Sequence, residues 1–257
     1  MSNAEKEKLD TAVDKIKRLE DEKAAEEKAQ KELNQKGEDG TEVGPGASAA
    51  CADRAIITGN LDKDPAGSKF APLKLKSTKQ GKNNIVVKWA KVSGAKKYVL
   101  YGNACGTKYK MKKLTSVAKN SFNVKKITKK LKKKTYHKFI VVALDKNNNV
   151  ISTSKVIHVA TKGSKKKANP TNVTVTKKVV NKAKKMKVGK TLALKAKVGK
   201  KKNTKVKTHV KIRYESSNTK IATVSNAGKV KAKAKGKCKI YAYAQNGIVK
   251  NINITVK

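Results

Sequence analysis

Very few residues in this chain could carry out covalent or metal chemistry. There are three cysteines (Cys51, Cys105, Cys238) and three histidines (His137, His158, His209). Beyond residue 68 only two carboxylates occur, Asp145 and Glu215. Each histidine stands alone, with no Cys, Asp or Glu at the short spacings typical of metal ligands, so no metal site is expected. No thiol has a histidine within sequence reach, which argues against a cysteine nucleophile. Paired-carboxylate hydrolysis needs two acids at one substrate, and these two sit in separate turn-like segments. Asp145, Asn147 and Asn149 share the i, i+2, i+4 spacing of a calcium loop. The later Gly and Glu of such a loop are missing, and Asn/Asp clusters of this kind favour hairpin turns. Gly44-Pro45-Gly46 is not a phosphate loop. The chain is therefore expected to be non-enzymatic, with no catalytic residue and no cofactor. Cys238 shares strand parity with Ile240 and Ala242 and reads as a buried thiol. A Cys51–Cys105 disulfide stays open; it would staple the segment before the first β-rich block to that block.

Positive charge is abundant. The chain carries 64 Lys+Arg against 18 Asp+Glu, a net charge of +46. Residues 1–42 hold 13 acids and 9 bases, whereas residues 69–257 hold 53 bases and two acids. Arginine occurs only at Arg18, Arg54 and Arg213. A lysine surface presents hydrated point charges rather than bidentate forks, which suits diffuse attraction to polyanions better than reading of base edges. Candidate anion-binding residues are the runs at predicted turns: Lys129, Lys130, Lys132, Lys133 and Lys134; Lys165, Lys166 and Lys167; and Lys200, Lys201 and Lys202. So few acids in this region leave the field almost unneutralised within a screening length of about 10 Å. Non-specific nucleic-acid binding is an alternative that the charge allows. The scarcity of Arg and an aromatic fraction of 4%, too low for a stacking platform, weigh against it.

The elements that must position these residues divide as follows. Residues 1–4, Met-Ser-Asn-Ala, read as a scar left by expression, with a signal peptide removed upstream. Residues 5–36 are rich in Glu, Lys, Ala and Leu and read as an acidic helix. Its apolar stripe (Leu9, Val13, Ile16, Leu19) is too short for a firm coiled coil. Gly-rich residues 37–50 and ambiguous residues 51–71 form a linker and lead-in. Between 72 and 162, short apolar strands alternate with turns. Ile85, Val87 and Trp89 share a face, and Phe139–Leu144 is apolar at nearly every position. Residues 163–170 are a linker. In 171–257, Leu192, Leu194, Ala196 and Val198 alternate with Ala193, Lys195 and Lys197, as one half-buried strand should. The fold class is mainly β: two tandem immunoglobulin-like sandwiches behind an N-terminal helix.

Two resemblances sharpen this reading. Trp89, Val92, Gly94-Ala95, Tyr98 and Tyr101, followed by Leu131, Val141, Ala143, Ser154 and Thr161, resemble a fibronectin type III domain. Such a domain places a corner tyrosine six residues after the Leu131-like leucine. Here that position is His137, so either His137 fills the corner or the register slips by one. Glu215-Ser-Ser-Asn through Ala222-Thr-Val224, then Gly228-Lys-Val-Lys-Ala232 and Gly236, is similar to the bacterial immunoglobulin-like group 2 family. These resemblances imply spacer, adhesin or carbohydrate-binding modules on the extracellular surface of Gram-positive bacteria. With the charge, they suggest retention on an anionic polysaccharide or teichoic acid, with host glycan or protein as a second partner class. No membrane insertion is expected, since no stretch approaches about 18 apolar residues. An accessory region of a larger secreted hydrolase is the remaining alternative.

Overall fold

The computed structural model describes residues 20, 43–59, 64–106, 108–124, 131–132, 134–162, 168–199 and 209–257. Apart from Glu20, the expected helix over 5–36 lies outside them. The described chain is mostly β, in antiparallel sheets around two apolar cores.

The first core lies between two sheets. One has the order β1 (Lys76–Gln80), β2 (Ile85–Lys88), β5 (Ser121–Asn123). The other has the order β4 (Lys112–Val117), β3 (Lys97–Ala104), β6 (Tyr136–Leu144), β7 (Val150–Thr153), with β8 (Ile157–Ala160) also on β6. Ile85, Val87 and Trp89 face Tyr98, Leu100, Phe139, Val141 and Ala143 across the sandwich, as strand parity requires. Strands β7 and β8 are two halves of one edge, broken at residues 154–156. At the break, the Val141 N–H donates to Ser154 Oγ (2.9 Å) and the Ser154 N–H to the Val141 carbonyl (2.9 Å). The Ser154 hydroxyl thus supplies an acceptor where the ladder is interrupted.

The nearly all-apolar β6 is buried along its whole length because both of its faces are covered. Odd positions Phe139, Val141 and Ala143 enter the sandwich core. Even positions Ile140, Val142 and Leu144 pack with Ala52 and Ile56 of helix α1 (Ala49–Thr58) and with Val43. Part of the expected linker is therefore structure. Val43 is 2% exposed and accepts from Thr153 Oγ1 (2.5 Å), Gly46 N–H donates to the Val150 carbonyl (2.8 Å), and Ser48 caps α1 through Cys51 N–H (3.2 Å). Burial of the outer sheet face drives this docking, at about 25 cal/mol per Å² of apolar surface.

None of the three cysteines is in a disulfide. Cys51 is buried in the first turn of α1, beside the end of the sheet where Ser48 bridges Asn149. Cys105 follows the opposite end of β3, four residues past Tyr101, the partner of Asp53. Four extended residues are roughly 13 Å, well beyond disulfide reach. Cys238 is buried as parity predicts.

His137 fills the corner position and the register holds. It lies on the parity of Phe139, 6% exposed, with its ring hydrogen-bonded to the Lys132 backbone. Its Nε2 is buried without a partner. Asp145 Oδ1 accepts from Asn147 N–H and Asn149 N–H (both 2.8 Å), a turn rather than an ion cage.

The second core is enclosed by β9 (Asn172–Thr174) with β11 (Lys197–Gly199), by β10 (Thr191–Ala193), β14 (Lys229–Ala232) and β13 (Ala222–Val224), and by β12 (Arg213–Ser216), β15 (Gly236–Tyr243) and β16 (Val249–Val256). The single strand expected through Leu192–Val198 is two strands in different sheets. Lys195 has φ 48°, a left-handed backbone that ends β10 and redirects the chain to β9. Leu194 stays fully buried at the crossing. Helix α2 (Phe70–Leu73) precedes β1, and α3 (Lys177–Ala183) packs on β16 and β10.

Burial holds the His137 imidazole below its ordinary pKa of 6.5. As pH falls through 6.5 the unfolded chain takes up this proton before the folded one, so stability is lost on the acid side. The expected slope is up to about 1.4 kcal/mol per pH unit below 6.5. His137→Gln keeps a donor for the Lys132 carbonyl and cannot ionise. Urea unfolding between pH 7 and 5 should show a shallower decline for this variant than for the wild type.

Candidate functional site

Two concave sites stand out among the described residues. The first lies where the sandwiches meet and is organised by two carboxylates. Asp64 accepts from Arg213 Nη1 at 2.9 and 3.2 Å and from Val156 N–H at 2.9 Å, with Lys155 Nζ at 3.6 Å. Arg213 Nη2 donates to the Val156 carbonyl, and its guanidinium lies over the Phe70 ring, 4.3 Å from the centroid. Glu215 accepts from Phe70 N–H (2.7 Å) and Ala71 N–H (3.0 Å), two donors of the first turn of α2. The break between β7 and β8 is what frees both Val156 backbone groups for this joint.

The turn joining β15 and β16 presses into the same junction. His158 N–H donates to the Gln245 carbonyl (2.7 Å) and Ser77 N–H to the Asn246 carbonyl (3.1 Å). Tyr243 stacks on Phe70 at 4.2 Å. Gly247 has φ +83°, and a Cβ there would sit 2.0 Å from the Leu75 carbonyl oxygen, so only glycine fits.

Beside the joint is a cavity of about 920 Å³ lined by Cys105, Tyr136, Lys155, His158, His209 and Arg213 among others. Cys105 Sγ is 3.2 Å from His158 Nδ1. The His158 and His209 rings stack at 4.4 Å, and Tyr136 lies 4.3 Å from His209. Tyr136 Oη donates to the Ala168 carbonyl (2.7 Å). The His158 imidazole is pushed down to about 3, first by burial and then by the positive charges of His209, Arg213 and Lys138, so it is neutral at physiological pH. Isolated in sequence, these side chains converge because β3 ends, β8 runs and β12 begins at one corner. Spacing could not reveal this, since His209 is more than fifty residues from His158.

The second site is a groove of about 600 Å³ beside α3. Lys178, Lys182, Lys185, Lys187 and Lys190 line it with Asn181, Met186, Thr191 and Leu192. No carboxylate lines it. The expected lysine runs contribute differently. Lys132 and Lys134 are exposed on the approach to β6. Lys129, Lys130, Lys133, Lys165, Lys166, Lys167, Lys200, Lys201 and Lys202 lie outside the described residues. The groove lysines are interspersed with other residues over 178–190 and form no unbroken run. The signal in the sequence is the helical i, i+4 spacing of Lys178 and Lys182, with Lys185, Lys187 and Lys190 following in the next turn.

Fold and site together define a tandem pair of immunoglobulin-like sandwiches with a built joint. Residues 170–254 match the bacterial Ig-like domain (group 2) family. Fibronectin type III domains are found among similar solved structures. The FN5 domain of Drosophila Lar is 25% identical, covering 36% of this chain and 96% of its own, with TM-score 0.29. A fibronectin type III domain of human fibronectin type III domain containing protein 3 is 23% identical, covering 35% of this chain and 85% of its own, with TM-score 0.29. Titin module A71 from human cardiac muscle is 18% identical, covering 33% and 84%, with TM-score 0.28. No curated protein matches. No helix among the described residues is long and apolar enough to cross a membrane.

The Asp64–Arg213 pair is largely buried, with side-chain exposures of 23% and 15%. Asp64→Asn keeps the shape but strands the buried guanidinium, a loss of about 3–5 kcal/mol for such pairs. Scanning calorimetry should show the wild type melt in one transition and the variant in two, one for each sandwich.

Proposed function

We propose that this chain is a non-enzymatic structural and adhesive module of a bacterial surface or secreted protein, retained on anionic polymers by its lysine face. Teichoic acid is the first candidate and an anionic host glycan the second. The observation that carries this reading is the α3 groove, where five lysines line a concave surface with no carboxylate among the described lining residues. A compact sandwich pays for crowding like charges through self-repulsion, so a concave cluster of this kind is best relieved by an anionic partner. The described carboxylates of the sandwiches are no substitute. Asp53 holds Tyr101 and Lys113, Asp64 holds Arg213, Asp145 closes a turn and Glu215 caps α2. Lysine points without guanidinium forks favour a charged polymer over base-specific reading.

The test is co-sedimentation with Gram-positive cell walls before and after teichoic acid extraction, at low and high salt, beside a DNA control. Binding should vanish on extraction and weaken with salt. Lys182→Gln with Lys187→Gln should cost about 2 kcal/mol, roughly thirtyfold in affinity, at about 1 kcal/mol per lysine facing an anionic surface. Equal affinity for DNA and for walls would reduce the reading to generic charge. Residues 1–42, net −4, are expected to compete for the same face. Their removal, which spares Val43 and α1, should tighten binding in the same assay.

A further inference from the structure

We propose that Cys105, His158 and His209 form a site for a borderline-soft divalent cation of the zinc type, which clasps one sandwich to the other. Each residue offers one ligand atom, and the three atoms lie within 4.8 Å of one another. Zinc–sulfur bonds of about 2.3 Å and zinc–nitrogen bonds of about 2.0 Å place tetrahedral ligand atoms roughly 3.3–3.7 Å apart. The His158 and His209 rings stack at 22° to one another, so ligation requires partly exposed His209 to swing out of the stack until its ring nitrogen points at the centre shared by Cys105 Sγ and the His158 ring.

The chemistry of the set is selective. One thiolate and two imidazoles suit zinc, cobalt or copper and reject calcium and magnesium, which demand oxygen ligands. Asp64, the nearest carboxylate lining the cavity, is held by Arg213 and does not join the set. Three protein ligands leave the fourth position open toward the cavity, for water or an anionic group.

The surroundings are built to orient these ligands. Tyr136 packs against the His209 ring and is itself anchored through its hydroxyl to the Ala168 carbonyl. The backbone of His158 is fixed from both sides, paired to Lys138 across β6 and bonded to the Gln245 carbonyl. His209 holds φ 56°, a left-handed conformation that histidine adopts more readily than most residues, and its ring packs against Tyr136 and His158 of the first sandwich. The cations Lys138, Lys155 and Arg213 stand close by. They oppose a bare dication, so the site depends on its sulfur ligand. This inference does not rest on the α3 groove.

The test uses the full chain, reduced and stripped with a chelator, titrated with cobalt and then zinc. One equivalent of cobalt should bind with a near-ultraviolet sulfur-to-cobalt charge-transfer band, and zinc should displace it. Magnesium and calcium should not. Cys105→Ser should abolish the band and weaken zinc binding by more than about 100-fold, since loss of even outer partners of metal ligands costs 10–100-fold. His209→Ala, at a partly exposed loop position that leaves the sandwich cores intact, should weaken it by at least about tenfold. Zinc should raise the melting temperature of the wild type more than that of His209→Ala at the same zinc concentration, because the variant binds more weakly and His209 brings the second sandwich to the site. A wild-type chain that binds no cobalt, or binds it without the charge-transfer band, overturns the proposal. So do variants that bind as the wild type does. Loss in only one of the two variants overturns the three-residue assignment.

Discussion

The contact between Asp64 and Arg213 is the constraint on which the described structure turns. From residue 69 onward the chain has 53 bases and two acids, so ion pairing cannot be distributed over the surface. It is concentrated instead. One carboxylate that precedes the first sandwich meets the only arginine in the second, and the pair is largely buried, with the Val156 N–H donating to the carboxylate and the Val156 carbonyl accepting from the guanidinium. Arginine suits this place because its planar fork engages two carboxylate oxygens, a backbone carbonyl and an aromatic face at once. Lysine could offer only a point charge. The edge strand of the first sandwich is interrupted at Val156 to make the contact, and the α2 turn is aligned beside it by Glu215.

That joint fixes what surrounds it. With Tyr243 stacked on Phe70 and Gly247 against the Leu75 backbone, the corner of β8 is brought to the start of β12. The cavity, its histidines and its cysteine are products of this alignment, not of either sandwich alone. By contrast, the lysine groove is lined by α3, the turn that follows it and the start of β10, all in the second sandwich. The two sites can therefore vary independently.

Much of the β architecture was legible from local patterns. Ile85, Val87 and Trp89 alternate as a half-buried strand must, and the Ser-Asn to Gly-x-Val run marks the second sandwich. Elements that depend on distant partners were not legible. The unbroken apolar run of β6 hinted that both of its faces are covered, but nothing local said that Ala52 and Ile56 cover the outer one. Leu192 to Val198 alternates cleanly, yet Lys195 divides it, because the sheets on either side demand different pairing partners. Cys105, His158 and His209 looked inert for the same reason: sequence spacing measures distance along the chain, and their proximity arises across it.

The interrupted edge of β7 and β8 has one more consequence. A continuous exposed edge strand offers a row of unpaired N–H and C=O groups to any neighbouring chain, which makes edges the usual starting points for strand-mediated aggregation. Here the break at 154–156 divides that row. The Gln245 carbonyl already occupies the His158 N–H on the β8 side, and β4 on the opposite edge begins with Lys112 and Lys113. Molecules crowded side by side would meet edges that are interrupted, occupied or charged. Such an array could grow dense while its members stayed separate.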